Sequence, residues 1–311
     1  MSKIDIDNLF ERRYEYPDPD FQARFARLVG LEEQQGRLAS LLSALVNPAG
    51  LEAWQKKHHP GATTLLECVL RRPPLVVLSG DVGSGKTELA ETIGDAVARR
   101  EDIAVTMFPL SLSTRGQGRV GQMTELISAA FDVVLGEGKK LKSGSGRSRG
   151  AVILLVDEAD ALAQSREAAQ MHHEDRAGVN AFIRGIDRLA NAQVPAAVLM
   201  CTNRLTALDP AVKRRAAEVM VFGRPSAEQR RLVLRRHLET LGFSAADINA
   251  LVDATGGTTG RDYGFTFSDL VQRLIPSIVL DAYPHGPVRP SRSLELARTV
   301  APTPPFQEEA T

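Results

Sequence analysis

The chain has 311 residues, 38 basic and 38 acidic, for a formal net charge of zero, with 43% hydrophobic and 24% charged residues. That is the composition of a soluble globular protein with room for two domains of roughly 100–200 residues, and it lends no support to a protein that wraps nucleic acid, although a local basic channel stays possible. Cys68 and Cys201 are too few for a disulfide framework or a four-ligand zinc site.

Residues 1–24 read as a charged N-terminal extension in which Pro17 and Pro19 break any helix. It lacks the apolar core of a signal peptide. No run approaches the ~20 apolar residues of a membrane span. A cytoplasmic protein is therefore expected.

The first strand signal is PPLVVLS at 73–79, followed by a glycine turn and then TELAETIGDAVARR, which has helical spacing and a basic end. A second strand is expected at 103–108 (IAVTMF), and a Gly/Ser/Lys/Arg linker at 136–150. AVILLV at 151–156 is an unbroken apolar run, as a central parallel strand covered on both faces requires. A helix is expected over 178–191 and a fourth strand at 196–202, where Cys201 reads as a small buried hydrophobe. Strands alternating with helices predict a doubly wound α/β domain over residues 25–223.

From 224 to 284 only helical signals occur, predicting a small all-helical domain. Two helices open with capping boxes, Ser226 with Gln229 and Ser244 with Asp247, and Gly242 and the pair Gly256–Gly257 stop them. A third helix is expected to kink at Pro276. Residues 285–311 carry five prolines and read as a disordered tail.

GDVGSGKT, from Gly80 to Thr87, fits G-x-x-x-x-G-K-[ST]. Phosphates need several converging backbone N–H groups in a tight turn, which Asp81, Val82, Gly83, Ser84 and Gly85 form. Lys86 adds a point charge for the β- and γ-phosphates, and the Thr87 hydroxyl suits Mg²⁺. The setting after a strand and before a helix is the one this motif requires. The central strand ends in Asp157–Glu158, at the sheet edge where ligands of such sheets bind. Asp157 would complete the Mg²⁺ shell through water, and Glu158 would polarise the attacking water. ATP and Mg²⁺ are the expected cofactors.

The order of phosphate loop, strand with Asp-Glu, VLMCTNR, LDPAVKRRAAEV and helical domain resembles an AAA+ ATPase, that is, a P-loop NTPase sheet followed by a helical lid. The resemblance implies that Asn203 is sensor 1 and that Arg215, with Arg214 beside it, is an arginine finger acting on a neighbouring subunit. A homohexameric ring is then the active form. It also implies that Val29, Gly30 and Leu31 border the adenine. The family's second sensor is an arginine where this chain has Asp269, and Arg261 and Arg273 stand nearby as substitutes.

The same resemblance makes residues 111–121 a pore loop that grips a polypeptide, with Thr114-Arg115-Gly116 in place of the usual aromatic and Arg119 close behind. A second pore loop is expected at 164–176. The pairs His172–His173 and His58–His59 lack metal-ligand spacing and read as solvated polar residues. Within AAA+ proteins, residues 155–189 and 208–230 look most like the HORMA remodellers. These are the pachytene-checkpoint remodellers and their bacterial relatives encoded beside CD-NTases in cyclic-oligonucleotide antiphage systems. The likeness implies an ATP-driven ring that opens a closed HORMA-domain protein and so restrains a CD-NTase. Three other readings share the ATPase residues: a different protein unfoldase or activase, a nucleic-acid motor, and a nucleotide-gated switch. Zero net charge and the lack of aromatic residues in 111–123 count against the motor, and the intact Asp157–Glu158 pair against the switch.

Overall fold

The computed structural model describes residues 9–10, 12–111, 122–143, 148–160, 173–204 and 208–305. They form two compact units: one holds residues up to Ala26, Glu33–Ser79 and Thr87–Val221, and the other holds Arg27–Glu32, Gly80–Lys86 and the chain from Phe222 onward.

In chain order the first unit contains β1 (Tyr14–Tyr16), α1 (Pro19–Phe25), α2 (Glu32–Val46), α3 (Pro48–His58), α4 (Thr63–Leu70), β2 (Leu75–Gly80), α5 (Lys86–Glu101) and β3 (Ala104–Ser111). It continues with α6 (Gln122–Leu141), β4 (Gly150–Asp157), α7 (His173–Ala192), β5 (Ala196–Thr202), α8 (Pro210–Lys213) and β6 (Glu218–Phe222). The six strands form one sheet in the order β1-β3-β4-β5-β2-β6. Strands β3, β4, β5 and β2 run parallel, and β1 pairs antiparallel with β3.

The unbroken apolar runs have a direct cause. Val152, Leu154 and Val156 share a hydrophobic core with α6 and α7, where Phe131 meets Phe182 edge-on at 5.6 Å. Ile153 and Leu155 point the opposite way and are equally buried, with Val76, Leu78, Met107 and Leu199. Successive strand residues alternate faces, so a strand covered on both sides has no polar position to spare. The doubly wound α/β expectation holds, with β6 as an added strand.

Three expectations about the first unit need correction. The expected extension over 1–24 is folded in its described part: Tyr14–Tyr16 forms an edge strand, and Pro19 starts α1 instead of breaking it. Proline suits the first turn of a helix because its missing N–H would have no partner there, and Asp18 caps that turn by accepting from Asp20 N at 2.7 Å. Arg24 then pairs with Glu88 and Glu91 of α5. The expected linker at 136–150 begins as helix, because α6 runs to Leu141 and glycines 136 and 138 are carried within it.

The second unit contains α9 (Ala227–Leu238), a 3₁₀ turn at Glu239–Leu241, α10 (Ala245–Ala254), a π-helical stretch at Asp269–Leu274, α11 (Ile275–Ala282) and α12 (Pro290–Thr299). Both capping boxes form, and Gly242 takes the left-handed conformation that ends the first helix (φ 86°). Near Pro276, wide π turns precede α11 in place of a simple kink. The tail is not disordered where it is described. Pro290 opens a helix that buries Ser293 and Ala297, and Ala297 joins Val233, Leu251 and Phe265 in the unit's core. Counting prolines hid the helical spacing of Leu294, Ala297 and Arg298. Among the described residues no helix is long and apolar enough to cross a membrane.

Candidate functional site

Within the second unit, the turn from Gly80 to Lys86 is held by its own lysine. Lys86 Nζ donates to Gly80 O at 2.9 Å, Asp81 O at 2.7 Å and Ser84 Oγ at 3.2 Å. Ser84 Oγ donates in turn to Asp81 O at 2.7 Å. Two glycines are forced. At Gly80 (φ 150°) a Cβ would stand 1.9 Å from Phe222 O, and at Gly83 (φ 72°) it would stand 2.7 Å from Thr266 Oγ1. Val82 is exposed at the tip and donates its N–H to Asp81 Oδ1 at 2.9 Å. The turn leads straight into α5, so its N–H groups and the first helical turn supply the donors an anion needs.

The adenine-bordering segment expected at Val29, Gly30 and Leu31 belongs to this same unit. Val29 packs on its core, Gly30 O accepts from Gln229 Nε2 at 2.6 Å, and Leu31 is buried. Leu31 Cδ1 lies 2.9 Å from the point where a Cβ on Gly85 would stand. Arg224 Nε donates to Asp81 Oδ2 at 2.7 Å. The candidate second-sensor arginines are engaged elsewhere: Arg261 donates to Gly256 O, and Arg273 pairs with the fully buried Asp269. Asp269 also accepts from Thr266 N, Thr303 N and Thr303 Oγ1, so in this chain it anchors the tail. Burial pushes its carboxyl upward, but these hydrogen bonds outweigh that and hold it below the usual carboxylate range.

In the first unit, Thr87 Oγ1 lies 3.4 Å from Asp157 Oδ1, which also accepts from Glu158 N at 2.9 Å. Burial pushes the Asp157 carboxyl above its ordinary value, with the neighbouring Glu158 and Glu91 charges adding to the rise against these hydrogen bonds. A hydroxyl facing a carboxylate is an oxygen donor set that suits a divalent cation. Glu158 is exposed and sits at φ 51°, a conformation side chains other than glycine's seldom take. The turn out of β4 is therefore strained at the residue expected to polarise water.

Asn203 lies at the end of β5, and there the structure adds a residue that the sequence reading did not single out. Asp160 Oδ1 accepts from Thr202 Oγ1 at 2.7 Å and Asn203 N at 2.8 Å, and its Oδ2 accepts from Asn203 Nδ2 at 3.3 Å. This carboxylate holds Asn203 by its backbone N–H and its side-chain amide, and holds the preceding Thr202 by its hydroxyl. The available signal was the third acid of DEAD. Arg215 follows α8 and is held by Asp187 of α7, while Arg214 is exposed at the helix end. Asp187 and Arg224 carry no local sequence signal.

Thr114, Arg115, Gly116 and Arg119, expected in the pore loop, lie outside the described residues, as does the second pore loop through residue 172. Among the described residues no cluster of three His, Cys, Asp or Glu could hold a metal. His58 and His59 lie beside the Trp54 ring, and Cys201 is buried.

Residues 76–224 match the family model of the ATPase family associated with various cellular activities (AAA). The chain is 62% identical, over 98% of each chain, to CD-NTase-associated protein 6 of Escherichia coli (strain MS 115-1). Among solved structures, a chain of the E. coli MS115-1 HORMA:CdnC:Trip13 complex superposes with a TM-score of 0.91 at 61% identity, covering 98% of this chain and 100% of that one. The Rhizobiales Trip13 structure gives 0.77 at 55% identity, covering 95% of this chain and 100% of that one.

Proposed function

The chain belongs to the AAA ATPases, in the family of the CD-NTase-associated protein 6 relatives, and on that premise we propose that it is an ATP-driven ring that opens a closed HORMA-domain protein and thereby restrains a CD-NTase. The observation that carries this reading is whole-chain likeness at 61% identity to a chain solved in a HORMA:CdnC:Trip13 complex. The likeness covers 98% of this chain and so extends past the matched residues 76–224 to the lid and tail.

In this reading the Gly80–Lys86 turn binds the ATP phosphates, with Val29, Gly30 and Leu31 at the base. Thr87 directly, and Asp157 through water, would hold Mg²⁺, which when bound neutralises phosphate charge. Glu158 accepts a proton from the attacking water, and Asn203, set by Asp160, orients that water. Arg215 stabilises transition-state charge on a neighbouring subunit's nucleotide, so turnover requires the ring, taken as a hexamer. Thr114, Arg115, Gly116 and Arg119 line the pore. There, Arg115 and Arg119 offer donors to the carbonyls of an extended chain, in place of an aromatic grip.

The test is a trap. Tagged Glu158→Gln protein with ATP should hold its substrate, and a small HORMA-domain protein should copurify and leave when ATP is removed. Recovery of nuclease-sensitive nucleic acid, with no HORMA-domain protein, would contradict the reading.

A further inference from the structure

The phosphate loop carries a charge that opposes its expected ligand. Asp81 stands at its second position, and a carboxylate there faces whatever polyanion the loop's N–H groups attract. Arg224, just after β6, answers that charge. Its Nε donates to Asp81 Oδ2 at 2.7 Å, and both side chains are only about 15% exposed (15% and 16%). The guanidinium is fixed from two further sides: Nη1 donates to Gly264 O at 2.6 Å, and its carbon lies 4.9 Å from the Tyr263 ring centroid. Its buried Nη2 has no acceptor among the described residues. The same stretch of chain touches the loop again, where Ser268 N donates to Gly83 O at 3.1 Å.

We propose that Arg224 is a positioning residue for phosphate binding: it neutralises Asp81 and ties the loop's first turn to the 264–268 segment, so that the turn accepts a polyanion. This rests on the loop being the phosphate site. It gives the lid a cation that acts on nucleotide through Asp81, at the root of the first lid helix. Because the effect is electrostatic, its loss grows with ligand charge and shrinks with salt.

The experiment is a double-mutant cycle read as nucleotide affinity, using fluorescent ATP and ADP analogues at low and high ionic strength. Arg224→Gln removes the Arg224 counter-charge from Asp81 and should weaken ATP binding about tenfold or more, with a smaller loss for ADP and a smaller one at high salt. Adding Asp81→Asn removes the repulsion and should restore affinity to within about threefold of the parent, the non-additive behaviour of two groups in contact. Arg224→Lys, which keeps the charge, should bind nearly as the parent does and covers the case in which the glutamine variant does not fold. Parent-like affinity in Arg224→Gln would overturn the proposal, and so would an equal loss in the single and double variants. Undiminished binding in Lys86→Ala would instead sink the phosphate-loop reading itself.

Discussion

Asp187 grips Arg215 along one edge of the guanidinium, Oδ1 to Nε at 2.7 Å and Oδ2 to Nη2 at 3.0 Å, while Nη1 donates to Ala211 O at 3.2 Å. A bidentate pair fixes the plane of the group and leaves the Nη1–Nη2 edge with free N–H bonds. An arginine so held is aimed before any partner arrives. Arg215→Ala should lower ATP turnover of the assembled protein by about 10³-fold, the lower range for a trans arginine, and leave ATP affinity unchanged. Asp187→Asn should lower kcat by less, about tenfold, at constant KM. Mixing Arg215→Ala with Lys86→Ala subunits should recover part of the rate, and a mixture as inactive as its components would argue against action across subunits.

Asp157 gives a pH-dependent prediction of definite sign. Burial raises its folded-state pKa above the unfolded value. The folded state therefore holds the proton longer, and stability falls as pH rises from the unfolded pKa through the folded one. Asp157→Asn should melt higher than the parent at pH 7 without nucleotide, with the difference vanishing at acid pH. The same variant should lose the Mg²⁺-dependent part of its stabilisation by ATP. Melting curves across pH, with and without Mg-ATP, check both points, and a variant that melts lower at pH 7 would contradict the burial argument.

Asp269 behaves in the opposite sense. Its folded-state pKa is depressed, so it contributes stability above the unfolded value of about 3.9 and loses it as pH falls through the folded one. Thr303→Ala removes a hydroxyl donor to this buried carboxylate and should cost about 1–3 kcal/mol at pH 7. The deficit should shrink as pH falls below about 4. Denaturant titrations at the two pH values measure it, and an equal deficit at both would mean that the tail contributes packing alone.

Gly80→Ala tests the backbone of the loop. The new methyl would meet Phe222 O, a main-chain atom that cannot swing aside. A loss of roughly 3 kcal/mol or more is expected, at the upper end of overpacking costs, with nucleotide-dependent stabilisation lost as well. A variant that melts and binds like the parent would contradict the turn's geometry.

Much of this was legible in the sequence, for reasons the structure makes plain. Strands β2, β4 and β5 are sealed on both faces and so read as continuous apolar runs. Strand β1 has only three residues, and β6 exposes Val221, so neither gives a clear period. The Gly80–Thr87 motif and Asp157–Glu158 are local patterns, readable because consecutive residues form them. Asp187 lies 28 residues from Arg215, and Asp81 lies 143 from Arg224. Such pairs exist only once the chain has folded, and no spacing rule announces them. Asp269 shows the reverse hazard: an acid where the family has an arginine looked like a missing part, but the fold uses it to anchor the tail.

The most direct test of ATP-driven HORMA opening starts from a closed HORMA-domain protein holding a labelled peptide. Peptide release is followed by fluorescence anisotropy after the protein and Mg-ATP are added. The account predicts rapid release with the parent chain and none with Glu158→Gln, which binds ATP without hydrolysing it. If the parent consumes ATP while the peptide stays bound, the ATPase is real and the remodelling claim is wrong.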